Sequence, residues 1–285
     1  MKNLVFAFMM LSFVSFAFAQ DGEFHLDKKF KISPSGTIDL GCSDAKVFVT
    51  GSSRPDVHIR IDRKVTSKGW SSGGNNFRVD VKEENGNILI REEQHTTNVQ
   101  FGYYHEDYKI EIEAPEGVAF VMRGDDGDVF VKNINGAISL SLDDADAELT
   151  GCKGPEFIFR FDDGDLRMDQ GRGKLEINAD DADIEIYKGN FTSIDAEIDD
   201  GDLIIETSLT NNGDYRFNSQ DGLVSLTVTG GGGTFDIRHD DASVSIHDAF
   251  KRVTETEDQT KVELERGTAR VFVRADDARV KLSTN

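Results

Sequence analysis

Only two cysteines, Cys42 and Cys152, and four prolines occur in the 285 residues. Two thiols cannot build a disulfide scaffold, so packing must hold the fold together. A basic surplus is also missing: 32 Lys and Arg stand against 53 Asp and Glu, a formal charge of −21. That excludes a nucleic-acid binder working through its overall field. After residue 19 no run approaches the roughly 18 apolar residues of a membrane-spanning helix. No Gly-x-Ser-x-Gly or His-Glu-x-x-His is present, and His25, His58, His95, His105, His239 and His247 show no metal-ligand spacing. Stretches combining Ala, Leu, Glu and Lys are scarce, which argues against helices. What remains is 38% hydrophobic with 20 Phe and 27 Gly, enough for a core built from short strands and turns.

Residues 1–19 carry Lys2, an apolar run from Leu4 to Phe18 and the small-x-small ending Ala17-Phe18-Ala19. This pattern predicts a secretory signal peptide cleaved before Gln20. No cysteine follows that site, so a lipid anchor is not expected. The expected product is an exported protein without a membrane span, periplasmic or at the cell surface. Three parts follow: a signal peptide at 1–19, irregular β units with polar insertions at 20–123, and regular repeats of the same continuous domain at 124–285.

The repeats are read from Asp125-Asp126-Gly127-Asp128, Asp143-Asp144-Ala145-Asp146, Asp162-Asp163-Gly164-Asp165, Asp180-Asp181-Ala182-Asp183 and Asp199-Asp200-Gly201-Asp202, which start 18 or 19 residues apart. Looser copies follow at Gln220-Asp221-Gly222, Asp240-Asp241-Ala242, Asp258-Gln259-Thr260 and Asp276-Asp277-Ala278, and Ser43-Asp44-Ala45 is an early one. In most of the regular copies apolar residues stand one, three and five places before the motif, as in Phe161, Phe159 and Phe157. Two more stand four and six places after its first residue, as in Leu203 and Ile205. Period two marks a strand with one buried face. The phase slips across the motif, so the chain must turn or bulge at the Asp-Asp step. A second turn falls midway, at Asn133–Gly136, Gly151–Gly154, Gln170–Gly173 and Lys188–Asn190.

Strand, turn, strand, turn in about 18–19 residues predicts an all-β, single-stranded β-solenoid, because such units bury little alone and must stack. The alternative is an antiparallel β-meander, since Asp-Gly also favours tight hairpins. Gly and Ala alternate at the third motif position, which leaves one or two units per coil open. Before Gly124 the copies are looser, with polar insertions at Val65–Asn76 and Glu92–Asp107. A short outer helix is expected within His247–Thr256. In a linear stack Cys42 and Cys152 lie about five units apart, roughly 20 Å, too far to bridge.

The run Tyr108-Lys109-Ile110-Glu111-Ile112-Glu113-Ala114-Pro115-Glu116-Gly117-Val118, leading into Gly127-Asp128-Val129 and acidic strand-turn units, resembles the bacterial putative-adhesin family of β-strand-repeat domains of unknown function. The resemblance spans roughly Gly36 to the C-terminus. It implies an exported single-stranded β-helix with no assigned catalytic residues. The density of Asp-Asp pairs exceeds the usual Ser-Gly or Asn-Gly turns of that family.

Those pairs have three readings. They can be solvated corners, since Asp suits turns and bonds its own backbone. They can form a cation ladder: carboxylates stacked about 4.8 Å apart repel, and Ca²⁺ takes six to eight oxygens. Asp126, Asp128, Asp144, Asp146, Asp163 and Asp165 are then the candidate ligands. Paired carboxylates can also serve a carbohydrate-active enzyme, but catalysis needs one unique constellation and these recur in nearly every unit. No enzyme activity is expected. Aromatics at Phe101, Tyr103, Tyr104 and Tyr108, with His105, read either as a loop capping the solenoid or as anchors for a partner. The expected function is a cell-surface or periplasmic binding module for a glycan, protein or cell-surface ligand. A passive structural or envelope-stress-associated protein is the alternative.

Overall fold

A computed structural model describes residues 23–72, 75–96, 99–265 and 267–285; for 67–72, 75–76, 94–96 and 99–104 only the backbone is described. The expected signal peptide lies outside the described residues. All 23 elements are strands, and no helix occurs among the described residues.

The repeats stack as a solenoid of two facing sheets. Strands preceding each Asp corner form the first sheet: Ala119–Asp126, Ile138–Asp144 and Glu156–Asp163 pair in parallel, followed by the distal parts of Leu166–Asp181 and Ile184–Asp200. Strands following the corner form the second: Val129–Lys132, Ala147–Thr150, the proximal parts of the same two long strands, then Asp202–Ser208 and Leu223–Gly230. Parallel pairing at steps of 18–21 residues rules out the meander across the repeats. Each unit makes one complete coil.

The register places like on like. Phe120, Ile138, Phe157, Leu175, Ile194 and Tyr215 form one inward column, and Val129, Ala147, Leu166, Ile184, Leu203 and Val224 form its counterpart in the second sheet. All are buried. Phe157, Phe159, Phe161, Ile184, Ile186, Leu203 and Ile205 point inward as the periodicity requires, while Arg160, Arg167 and Glu197 are exposed and Glu185 half-buried. Two inward faces meeting across the coil let every unit bury its apolar side without a separate layer.

The Gly/Ala alternation records two corner shapes rather than a double coil. Ala145 and Ala182 turn their methyl groups into the core. Gly164 and Gly201, one coil further on, have φ of +108° and +125°. A Cβ on Gly164 would lie 2.5 Å from the Ala145 carbonyl oxygen. Beside the Ala145 and Ala182 corners the next corner has no room for a Cβ, and Gly164 and Gly201 stand there.

Both ends depart from a simple linear stack. Coil 37–52 stacks directly on coil 119–132, and everything between them in sequence lies outside it. There, Glu23–Lys31, Asp56–Ser72 and Val99–Pro115 close the second sheet with antiparallel pairs, while Asn75–Glu84 and Asn87–Thr96 close the first. Among the described residues, the polar insertions and the expected aromatic loop are thus long paired strands: His105 stands opposite Thr66 and Tyr108 opposite Arg63. The side chains of Phe101, Tyr103 and Tyr104 lie outside the described residues. At the other end, Ala269–Ala275 and Arg279–Thr284 insert between coils 214–230 and 233–246. His247–Thr256 holds the strand Lys251–Glu255 in place of the expected helix. Asp258-Gln259-Thr260 opens the antiparallel strand Gln259–Leu264 and is no corner.

Cys42 and Cys152 are free and buried. The reason differs from the one expected: the first coil stacks on the repeats, so the two lie roughly 10 Å apart along the stack. They sit at opposite ends of their coils, Cys42 at the Asp corner and Cys152 at the second turn.

Candidate functional site

Stacking lines up the corner aspartates into two columns. Asp126, Asp144, Asp163, Asp181 and Asp200 are direct partners in successive strands. Asp146, Asp165, Asp183 and Asp202 form the second, and here the carboxylates have work in the fold. The backbone N–H of Asp165 donates to Asp146 Oδ1 at 2.9 Å, that of Asp183 to Asp165 Oδ1 at 3.3 Å, and that of Asp202 to Asp183 Oδ1 at 2.8 Å. Asp146, Asp165 and Asp183 thus each cap the next coil's backbone. Asp128, at the head of this column, receives Lys46 Nζ at 2.8 Å.

The six aspartates singled out from the sequence therefore divide between the columns, Asp126, Asp144 and Asp163 in one, Asp128, Asp146 and Asp165 in the other. Among the described residues no three acidic, His or Cys side chains converge as a metal-binding group. The first column carries the cost of its own repulsion. The Asp163 carboxyl is held above the ordinary aspartate range by partial desolvation and by the charges of Asp144 and Asp181. A raised folded-state value means that proton binding favours the fold. Its stabilising effect is complete below the ordinary value, near pH 4, and is lost as pH rises through the raised one. Asp163→Asn should therefore melt above the parent at pH 7, and the gap should close as the pH falls below about 4. A parent protein that melts higher than D163N at neutral pH would refute this.

On the outer face of the second sheet, beside the second column, the side chains of successive coils enclose an open groove of about 230 Å³. Its floor is the backbone of the second sheet at Ala147 and Leu166, whose side chains point inward. Its walls carry six carboxylates, on Asp128, Asp146, Glu148, Asp165, Asp183 and Glu185, against the single guanidinium of Arg167. Arg167 is paired with Glu185 at 3.1 Å, and the same carboxylate accepts from the Tyr187 hydroxyl at 3.2 Å.

Phe130 closes one end of the groove and stacks on Phe48 of the neighbouring coil, with ring centroids 5.0 Å apart and planes within 12°. Lys46 lies over Phe130 at 5.0 Å and Lys109 over Phe48 at 5.1 Å. These outward phenylalanines are only half-buried, so an aromatic wall already suited to ammonium groups borders the acidic groove. Period-two reading places Phe48 and Phe130 on the outer face; only the register of coil 37–52 on coil 119–132 brings them together.

Sequence reasoning also missed a polar node inside the N-terminal end. Arg63 is 4% exposed, ion-paired with Glu106 and laid over the Phe77 ring at 4.0 Å. Phe77 packs edge-on against Tyr108 at 5.2 Å. Glu92 accepts from the Ser43 backbone N–H and hydroxyl at 3.1 and 2.8 Å, tying the outer hairpin to the first corner. Burial, with Glu92 nearby, pushes the Cys42 thiol up to about 12 and raises the Tyr108 phenol as well. Partial burial and the charges of Asp126, Glu106 and Glu92 hold Asp44 above its usual range. Arg63 and Glu106 occupy inward positions that period two assigns to apolar residues, and no local motif marks the change.

No curated protein matches the chain. Among solved structures, a putative adhesin from Bacteroides fragilis NCTC 9343 shares 12% identity over 90% of this chain and 96% of its own, with a TM-score of 0.48. A putative adhesin from Parabacteroides distasonis ATCC 8503 shares 10% over 90% and 96%, with a TM-score of 0.46. A putative cell adhesion protein from Clostridium sporogenes ATCC 15579 shares 10% over 92% and 100%, with a TM-score of 0.29. The family model Toastrack DUF4097 matches residues 37–283, from the first stacked coil to the end of the inserted one. The chain belongs to the Toastrack DUF4097 family.

Proposed function

We propose that this protein is an exported, non-catalytic binding module, acting at the cell surface or in the periplasm, whose groove beside the aspartate column takes a cationic partner. The observation that carries the reading is the groove itself: six carboxylates from successive coils against one guanidinium, closed by an outward aromatic pair. Complementary charge supplies encounter rate and selectivity, and an aromatic anchor supplies contact area. Export rests on the leader-like pattern of residues 1–19. Catalysis is set aside because the carboxylates repeat from coil to coil with no unique acid, base or nucleophile among them.

Titration of the full chain with dye-labelled octalysine, followed by fluorescence anisotropy, tests the reading. Binding should weaken between 20 and 150 mM NaCl, as screened charge pairs require. Glu148→Gln should reduce affinity several-fold and Arg167→Gln, which removes a guanidinium from the groove wall, should raise it. Equal effects from Glu197→Gln on the opposite sheet would transfer the binding to the overall charge. No binding at 20 mM NaCl would favour the passive structural alternative, and saturation by Ca²⁺ alone would favour the ion ladder.

A further inference from the structure

We propose that the slot filled by residues 269–284 is a strand-acceptor site, which the same segment of a second copy of this chain can occupy in place of the resident one. This stands apart from the groove and its partner. The coils on either side of the slot, 214–230 and 233–246, are consecutive in sequence and joined only by Gly231 and Gly232. They are nevertheless separated by a full coil in the stack, because the chain runs on through two antiparallel strands and returns to fill the gap.

The two walls of the slot are complementary to one insert. Tyr215 and Phe235 both pair with Val271, Phe217 and Ile237 with Val273, and Val224 and Val244 with Val280. Without the insert each wall is a parallel edge with its backbone N–H and C=O groups unpaired, the feature that recruits an added strand. The insert supplies its own share of the core: Val271, Val273, Ala275, Ala278, Val280 and Leu282 are all buried.

The tether explains the glycine run that stands out in the sequence at 230–233. On the way to Ala269, Glu265 and Gly267 cross against the short link at Gly231 and Gly232. A Cβ on Gly232 would meet the Glu265 carbonyl oxygen at 2.4 Å, and one on Gly267 would meet the Gly232 oxygen at 1.9 Å. The crossing exists only because the chain doubles back into its own slot. A tether that continues into a neighbouring molecule needs no crossing, the condition in which a short hinge favours swapping. Copies of a chain carrying −21 charges repel one another, so exchange should be more frequent at high ionic strength.

Asn218 and Arg274 are direct partners across the slot and both face outward, so a cysteine pair there reports which chain fills it. Full-length N218C and R274C chains are unfolded together, refolded at graded concentration and oxidised. The doubly substituted chain, refolded dilute, should close within itself, which checks register and folding. Resident closure competes at an effective concentration of the order of millimolar. The mixed cross-link should then amount to about one-tenth of refolded chains at 0.1 mM and fall roughly tenfold at 10 μM. An R160C chain, exposed on the same sheet but remote from the slot, replaces R274C as the collision control. Cross-linking confined to single chains at every concentration, or equal yield with R160C, would overturn the proposal.

Discussion

Phe159→Ala should cost the folded protein about 3–5 kcal/mol in urea unfolding, one of the two largest effects expected of any single change. Phe159 is fully buried, with the rings of Phe157 and Phe161 at 6.1 and 6.4 Å. Its column neighbours, Leu140 and Ile177, belong to adjacent coils, held by their own hydrogen bonds at strand spacing. The walls of the resulting cavity cannot close in on it, which places the cost toward the upper part of that range. The next residue supplies the control. Arg160 is exposed and its pair with Glu176 at 3.0 Å is a solvent-side contact, so Arg160→Ala should change stability by less than about 1 kcal/mol. Equal losses at both positions would mean that the stack does not bury this strand as described.

The second large effect is expected at the corners and runs in one direction only. Gly164→Ala places a side chain at φ +108° with its Cβ 2.5 Å from the Ala145 carbonyl oxygen, a backbone atom of the coil below. The left-handed conformation and the displaced coil each cost of order 1–3 kcal/mol, so a loss of about 2–6 kcal/mol is expected. The reverse change, Ala145→Gly, removes one buried methyl and adds backbone freedom, a loss nearer 1–2 kcal/mol. Paired urea melts of the two variants measure the asymmetry. Two equal, small losses would show the alternation to be a matter of composition rather than of corner geometry.

How far the architecture can be read without coordinates depends on the range of the interactions that set it. Period two around each Asp motif, the phase slip across it and the 18–19-residue step are local properties of the chain. They suffice to identify a stacked β fold, the inward Phe157, Phe159 and Phe161, and the outward Arg160. The order of the coils is not local. Sequential stacking satisfies the same hydrophobic columns as the arrangement adopted, in which 37–52 meets 119–132 and 269–284 enters between 214–230 and 233–246. Only the choice among equivalent strand edges decides between them, and each apolar column is nearly the same at every step. That choice brings Phe48 against Phe130 to end the acidic groove, seats Arg63 and Glu106 in an otherwise apolar interior, and sets Cys42 two coils from Cys152. The corner aspartates were legible as a repeating feature. Their division into a repelling column and a backbone-capping column was not, because it depends on which oxygen reaches the N–H of the next coil.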